Sequence, residues 1–186
     1  MFPTDTVYGI GTRPDDHGAT DRLFRAKGRP RALELPVLAP SIASAKVAAL
    51  FDERAERLAE AWWPGALTLV LPRSEASSSW DLGGDHTTIG LRIPDHMLAL
   101  TLLGETGPLA VTSANRSGEP TPESCDGLVE TFGDLVAVFL CQETAPPGTP
   151  STVLDLAHGE PRVLREGSVE VGAVRETLDR TRRRWT

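Results

Sequence analysis

Pro3-Thr4-Asp5-Thr6-Val7-Tyr8-Gly9-Ile10-Gly11 is the stretch on which the reading of this chain turns. Two threonines flank an acid, an aromatic follows, and two glycines close the run. Small hydroxyls beside glycines suit a place where side chain and backbone approach a polar ligand together. A strand running into a tight turn would use the same residues. Met1-Phe2 gives such a strand almost no lead-in, so residues 1–11 read as the end of a strand plus a turn, with a further element expected before them.

The sequence after this opening alternates between helical and extended patterns. Residues 18–27 read as a helix capped by Thr20, with Leu23, Phe24 and Ala26 as its apolar positions. It delivers Lys27-Gly28-Arg29-Pro30-Arg31, where Gly28 suits a C-cap and Pro30 stops the helix. Residues 35–39 read as a short buried strand. Residues 41–50 and 52–62 read as helices capped by Ser41 and Asp52, the second stopped by Trp62-Trp63-Pro64-Gly65. Strands follow at 66–72 and 87–93. In the second, Thr88 and Arg92 stand four apart and share a face. Pro94 suits the first turn of a helix running to about Leu103.

A strand at 109–112 ends in Ser113-Ala114-Asn115-Arg116-Ser117-Gly118, and α/β sheets often bind ligands at the carboxyl ends of their strands. A turn made of its usual residues is the plain alternative. Residues 122–132 read as a helix capped by Thr121, 135–141 as an apolar strand, 151–156 and 162–164 as a hairpin, and 168–178 as a closing amphipathic helix. This is an α/β chain with a mixed sheet, and residues 1–186 read as one domain without repeats or an interior linker.

Bulk properties exclude several classes. The chain has 186 residues, 40% hydrophobic and 24% charged, as in ordinary globular proteins. No apolar run approaches the length of a membrane span, and the first residues do not resemble a signal peptide, so the expected compartment is the cytoplasm. Two cysteines, Cys125 and Cys141, do not suggest a disulfide scaffold. A formal charge of −7 argues against a surface generally adapted to nucleic acid. Local basic patches remain: Arg25, Lys27, Arg29 and Arg31 near the start, and Arg180, Arg182, Arg183 and Arg184 at the end, the latter reading as a solvated run.

The four histidines, His17, His86, His96 and His158, have no spacing that makes a metal site with the cysteines. No Gly-x-Ser-x-Gly elbow or Walker phosphate loop occurs. The remaining chemistry consists of hydroxyls, one amide and cations: Thr6, Lys27, Arg29, Thr88, Arg92, Ser113, Asn115, Thr121, Ser151 and Arg165. Such groups bind an anionic ligand and a zwitterion, and catalysis by positioning and charge stabilisation needs no protein nucleophile. Arginine suits bidentate phosphate contact and lysine a point-charge contact.

Several motifs occur in order: PTDTVYGIG at 3–11, KGRP at 27–30, WPG at 63–65 before a Leu-Thr-Leu-Val strand, TIGLRIP at 88–94, TSAN at 112–115, STV at 151–153 and Val163-Leu164-Arg165-x-Gly167. As a set they resemble the YrdC-like family of threonylcarbamoyl-AMP synthases, across nearly the whole chain.

The resemblance implies a twisted, mostly mixed open sheet with flanking helices and a positively charged concave cleft. It implies the joining of L-threonine, bicarbonate or CO2, and ATP into threonylcarbamoyl-AMP with release of pyrophosphate. Mg²⁺ is expected with ATP, and a separate transferase complex is expected to pass the group to tRNA. Matched position by position, Thr6, Arg92 and Ser151, with the backbone at Val111, would hold threonine. Arg29, Thr88, Ser113, Thr121 and Arg165 would hold ATP, with Asn115 of TSAN, and Lys27 and Arg29 would offset phosphate charge during the reaction.

Three departures accompany the resemblance. Leu35-Pro36-Val37-Leu38-Ala39-Pro40 stands where relatives carry an Asn for ATP and a His for threonine, so those contacts come from elsewhere or activity is lowered. The helix and strand that the family carries before the opening motif are not seen. Arg31 adds a cation expected to compensate in the ATP site. The runner-up reading is an RNA-binding module of the same fold without synthesis, which the missing Asn and His favour and the net charge disfavours.

Overall fold

The computed structural model describes residues 1–179; the basic run from Arg180 to Arg184 lies outside them. The elements are β1 (Gly9–Thr12), α1 (His17–Lys27), β2 (Val37–Leu38), α2 (Ile42–Ala48), α3 (Glu53–Trp62), β3 (Leu67–Pro72), β4 (Thr88–Arg92), α4 (Met97–Thr106), β5 (Leu109–Ser113), α5 (Cys125–Phe132), β6 (Thr152–Asp155), β7 (Arg162–Arg165) and α6 (Val171–Asp179). The strands form one sheet in the order β1-β5-β2-β4-β3-β6-β7. Pairs β2/β4 and β3/β6 are parallel, and the other four are antiparallel. The expected mixed α/β sheet is what forms.

Strand alternation decides what each face does. Leu67, Leu69 and Leu71 of β3 share a face with Ile89 and Leu91 of β4, Val37 of β2, Ala110 of β5 and Leu154 of β6, as the register requires. All are buried in one large core with Leu23, Phe24, Ala45, Ala55, Leu58 and Val174 of the helices. Burying each such leucine contributes roughly 2 kcal/mol. The opposite face is covered only in part. Ala99 and Leu103 of α4 pack there with Phe2, Leu38, Leu109 and Val111. Beyond that small cluster the face opens into a cavity.

The opening motif differs from expectation in its order. The strand follows the turn rather than preceding it: Phe2 pairs with Gly9 across residues 3–8, and β1 then runs along β5. A Cβ on Gly9 would stand 2.7 Å from Val111 Cγ1, so glycine is what allows this close approach.

Several boundaries also move. Asp16, not Thr20, caps α1 by accepting from the Ala19 N–H at 2.9 Å, while buried Thr20 donates to the His17 carbonyl one turn back. Ser124, not Thr121, caps α5, and His96, two residues after Pro94, caps α4. A capping side chain must sit directly before the first free N–H groups, which Thr20 and Thr121 do not, and Pro94, expected in the first turn of α4, lies ahead of its cap. Residues 135–141 form no strand: Gly133–Leu135 is a 3₁₀ turn, Val136 and Phe139 pack on the core, and the backbone is tied to Met1, whose amino group donates to the Val138 carbonyl at 2.6 Å and whose carbonyl accepts from the Leu140 N–H at 2.9 Å. A disulfide joins Cys125 to Cys141, a pairing the sequence reading lacked. Among the described residues, no helix is long and apolar enough to cross a membrane.

Candidate functional site

The open part of the sheet face forms the floor of a cavity of about 620 Å³. Alternate residues build it: Thr88, Gly90 and Arg92 from β4, Thr68 and Val70 from β3, Val153 and Asp155 from β6, and Val111 and Ser113 from β5. Gly90 lies beside Val70, Val70 beside Asp155, and Asp155 beside Arg162 in one row across four strands. The walls come from Thr4, Thr6 and Val7 of the opening motif, Arg29 and Glu34 after α1, Thr121 before α5, and Pro150-Ser151. Thus Thr6, Arg29, Thr88, Arg92, Val111, Ser113, Asn115, Thr121, Ser151 and Arg165 all reach one cavity from distant parts of the chain.

Arg92 anchors one end. It is buried; its Nη1 donates to Thr6 Oγ1 at 2.9 Å and its Nε to the Gly65 carbonyl at 2.9 Å, and Nη2 pairs with Asp5. The WPG turn, with its cis Trp63–Pro64 bond, is what presents that carbonyl. Nearby, Thr68 Oγ1 and Ser151 Oγ share a hydrogen at 2.9 Å. Arg165 reaches Ser151 twice, from Nε to its carbonyl and from Nη2 to its hydroxyl. Gly148 N–H donates to the Thr6 carbonyl at 2.8 Å, which lays the proline-rich segment 144–150 beside this end.

Arg29 lines the other wall and donates to the carbonyls of Leu33 and Glu34. Burial lowers the pKa of Arg29, Arg92 and Arg165, and Arg165 lowers Arg29 and Arg92 further by like-charge repulsion. Asp5 offsets part of this at Arg92. Three guanidiniums held together against burial and repulsion form a site that an anion relieves.

Lys27 departs from its expected place. It is 3% exposed and does not line the cavity. Its Nζ donates to the Ser113 carbonyl at 2.5 Å, to the Asn115 carbonyl, and to Asn115 Oδ1 at 3.2 Å. Burial, with Arg29 nearby, lowers its pKa to about 8. It therefore holds the TSAN turn from behind rather than facing a ligand. The side-chain donors of that turn are also committed, Ser113 Oγ–H to Asn115 Oδ1 and Asn115 Nδ2 to the carbonyls of Arg116 and Glu119. Arg31 is likewise not in the cavity; it pairs with Asp21 and Asp81 and stacks over Phe24, so it does not compensate there.

Sequence reasoning missed Asp5, Glu34, Thr68, Asp155, His158 and Arg162. Thr68 had a signal: it is the polar residue of an otherwise leucine-alternating strand. Asp155 is fixed by the Ala157 N–H, His158 Nδ1 and Arg162. The lining carries four arginines, Arg29, Arg92, Arg162 and Arg165, against Glu34, Glu119 and Asp155, so its charge is divided rather than uniformly positive. Among the described residues no cluster of three His, Cys, Asp or Glu side chains is placed to hold a metal ion.

The family profile Sua5/YciO/YrdC, described as telomere recombination, matches residues 1–167. A protein of Mycobacterium leprae (strain TN), provisionally named a threonylcarbamoyl-AMP synthase, is 42% identical over 179 residues, covering 96% of this chain and 81% of its own. The structure of Pyrococcus abyssi Sua5 complexed with L-threonine superposes with a TM-score of 0.85 at 36% identity, over 95% of this chain and 52% of that one. This chain thus spans about half of the archaeal protein. Escherichia coli YciO gives a TM-score of 0.84 at 26% identity, covering 91% and 83%. With the profile matching residues 1–167 and a relative 42% identical over 96% of this chain, the chain belongs to the Sua5/YciO/YrdC family.

Proposed function

We propose that this chain is an L-threonylcarbamoyladenylate synthase, an enzyme that forms threonylcarbamoyl-AMP and pyrophosphate from L-threonine, bicarbonate or CO2, and ATP. The observation that carries this is one cavity with two kinds of lining that meet at Arg165. Around Arg92 stand the Thr6, Thr68 and Ser151 hydroxyls, which suit a small zwitterion carrying a hydroxyl of its own. Arg29 and Arg165 supply clustered positive charge for a polyphosphate.

The reaction requires the threonine amine to bond to the carbon of CO2 with loss of a proton, or to that of bicarbonate with loss of water, giving a carbamate. A carbamate oxygen then attacks the α-phosphorus, and the bond to the β-phosphate bridging oxygen breaks with pyrophosphate as leaving group. Arg92 orients the amino-acid carboxylate, while Thr6 and Ser151 fix its position. Arg29 and Arg165 offset the charge that moves onto the leaving pyrophosphate. Lys27 acts one layer back, by holding the TSAN turn against the end of α1.

Mg²⁺ is proposed to arrive on the ATP phosphates rather than in a resident protein cage, in keeping with a donor set dominated by arginine and hydroxyl. The cytoplasm is the proposed compartment. A transferase complex that carries the group to tRNA is the proposed consumer.

The test is pyrophosphate release with ATP and bicarbonate, with and without L-threonine. Release that needs threonine supports the reading. Release indifferent to threonine, or salt-sensitive tRNA binding without ATP binding, overturns it.

A further inference from the structure

Glu34 is held in the cavity wall from every side. Its backbone carbonyl accepts from Arg29 Nη2 at 3.0 Å, Oε1 accepts from Arg73 Nη2 at 2.8 Å, and Oε2 accepts from Thr88 Oγ1 at 3.3 Å. Arg73 is itself buried and spends its other nitrogens on the carbonyls of Thr88 and Trp80. Behind the side chain runs the Gly83-Gly84 turn. A Cβ on Gly84 would stand 3.1 Å from Glu34 Cβ and crowd that side chain, and Gly84 has a φ of 70° that favours glycine as well.

At the Glu34 carboxylate and the Thr88 hydroxyl the polarity is one-sided, while Arg29 stands beside them on the Glu34 backbone. A carboxylate only accepts hydrogen bonds, and it has about four lone-pair sites, of which Arg73 and Thr88 take two. The Thr88 hydroxyl has given its hydrogen to Glu34, so it too offers only lone pairs to the cavity. A ligand that settles here must bring donors. A triphosphate brings none, and its charge would oppose the carboxylate. The nucleoside portion brings both hydroxyl and amino donors. Burial raises the Glu34 pKa, opposed by Arg73 and Thr88, and a donor from a ligand acts in the same direction as those two.

Resting on the nucleotide reading above, we propose that Glu34, with Thr88, is the acceptor that reads the hydrogen-bond donors of the nucleoside. It thereby orients ATP with its sugar and base toward this corner and its phosphates toward Arg29 and Arg165. Arg73 is the positioning residue behind it. Thr88 is then an acceptor in the ATP site, not a phosphate donor.

The experiment is calorimetric binding to the wild type and to Glu34→Gln. The amide keeps an acceptor for Arg73 but turns a donor toward the ligand, and a thermal melt reports that the fold is kept. The ligands are ATP, inorganic tripolyphosphate, 2′-deoxyATP, 3′-deoxyATP and ITP. The expected result is ATP binding weakened about tenfold or more in Glu34→Gln with tripolyphosphate unchanged. In the wild type, one analogue shows the same loss as the substitution, which names the ribose hydroxyl or the 6-amino group as the donor read. Equal loss for ATP and tripolyphosphate, no loss at all, or wild-type indifference to all three analogues overturns the proposal while leaving the nucleotide reading intact. A wild type that binds neither ATP nor tripolyphosphate overturns both.

Glu34→Asp separates reading from mere pairing. It keeps the charge for Arg73 but withdraws the oxygens by one methylene. If Glu34 were only the counter-ion of Arg73, both substitutions would lower the melting temperature and neither would change the ratio of ATP to tripolyphosphate affinity.

Discussion

Arg165 grips Ser151 with two parallel hydrogen bonds, Nε to its carbonyl oxygen at 3.0 Å and Nη2 to its hydroxyl at 3.1 Å. The guanidinium expected at the phosphates is thus locked to the hydroxyl expected at threonine. A change at either residue is transmitted to the other substrate. Arg165→Lys keeps the charge but cannot form the fork. It is expected to lower kcat/KM by about tenfold to a hundredfold, with KM rising for threonine as well as ATP. Steady-state kinetics with each substrate varied in turn checks this; an effect confined to ATP would contradict the coupling.

Gly90 keeps the middle of the cavity floor open. A Cβ there would meet Pro36 Cβ at 3.5 Å and Thr68 Cγ2 at 3.6 Å, ordinary contact distances. Gly90→Ala is therefore expected to fold normally and bind ATP within a few-fold of wild type. Gly90→Leu places a branched side chain where the ligand lies, and is expected to weaken ATP binding more than about tenfold with an unchanged melting temperature. Equal binding by the two variants would show that the nucleotide does not cross the floor.

Asp155 makes stability depend on acid. Burial pushes its carboxyl up, but the bonds from His158 and the Ala157 N–H outweigh this and leave it below the ordinary aspartate range. The folded chain then holds fewer protons than the unfolded one. The contribution is complete above the unfolded aspartate pKa and is lost as pH falls through the lower, folded one. Denaturant unfolding of wild type and Asp155→Asn is expected to show a stability gap at pH 7 that narrows as pH falls below the ordinary aspartate range. A gap that does not change with pH would exclude this role.

The Cys125–Cys141 bridge closes a loop with a sequence separation of 16. Loops of this size contribute about 3 kcal/mol when cross-linked. Thiol titration of the unfolded protein without reductant is expected to find no free cysteine, and dithiothreitol is expected to lower the melting temperature by several degrees. In a reducing compartment the same pair stands as two thiols, and the stability measured under reductant is then the relevant one.

Legibility in the sequence followed the range of the interactions. The β3 strand was readable because Leu67, Leu69 and Leu71 announce their own face, and Ser41 and Asp52 were readable caps because capping is local. Thr6, Arg92, Ser151 and Arg165 were found through ordered motifs rather than through any local rule. Residues 135–141 misled because apolar residues packing on a core resemble a strand when their backbone partners are unknown. Lys27 misled for a related reason. A lysine after a helix looks like a free cation until the carbonyls of Ser113 and Asn115 are known to surround it. Glu34 gave no signal, since its meaning depends on Arg73, 39 positions away.

The bonds that close the cavity join residues far apart in the chain: Thr68 to Ser151 over 83 positions, Thr6 to Arg92 over 86, and Lys27 to Asn115 over 88. Each requires a large loop to close before it gives any return. Topologies dominated by such pairings reach the native state late and slowly. The cavity therefore exists only once chain segments more than eighty positions apart have met. A chain cut short before β6 lacks Ser151, Asp155 and Arg165 of the cavity and also the strand that pairs with β3, so the floor of the site and the β3 side of the sheet are completed by the same late segment.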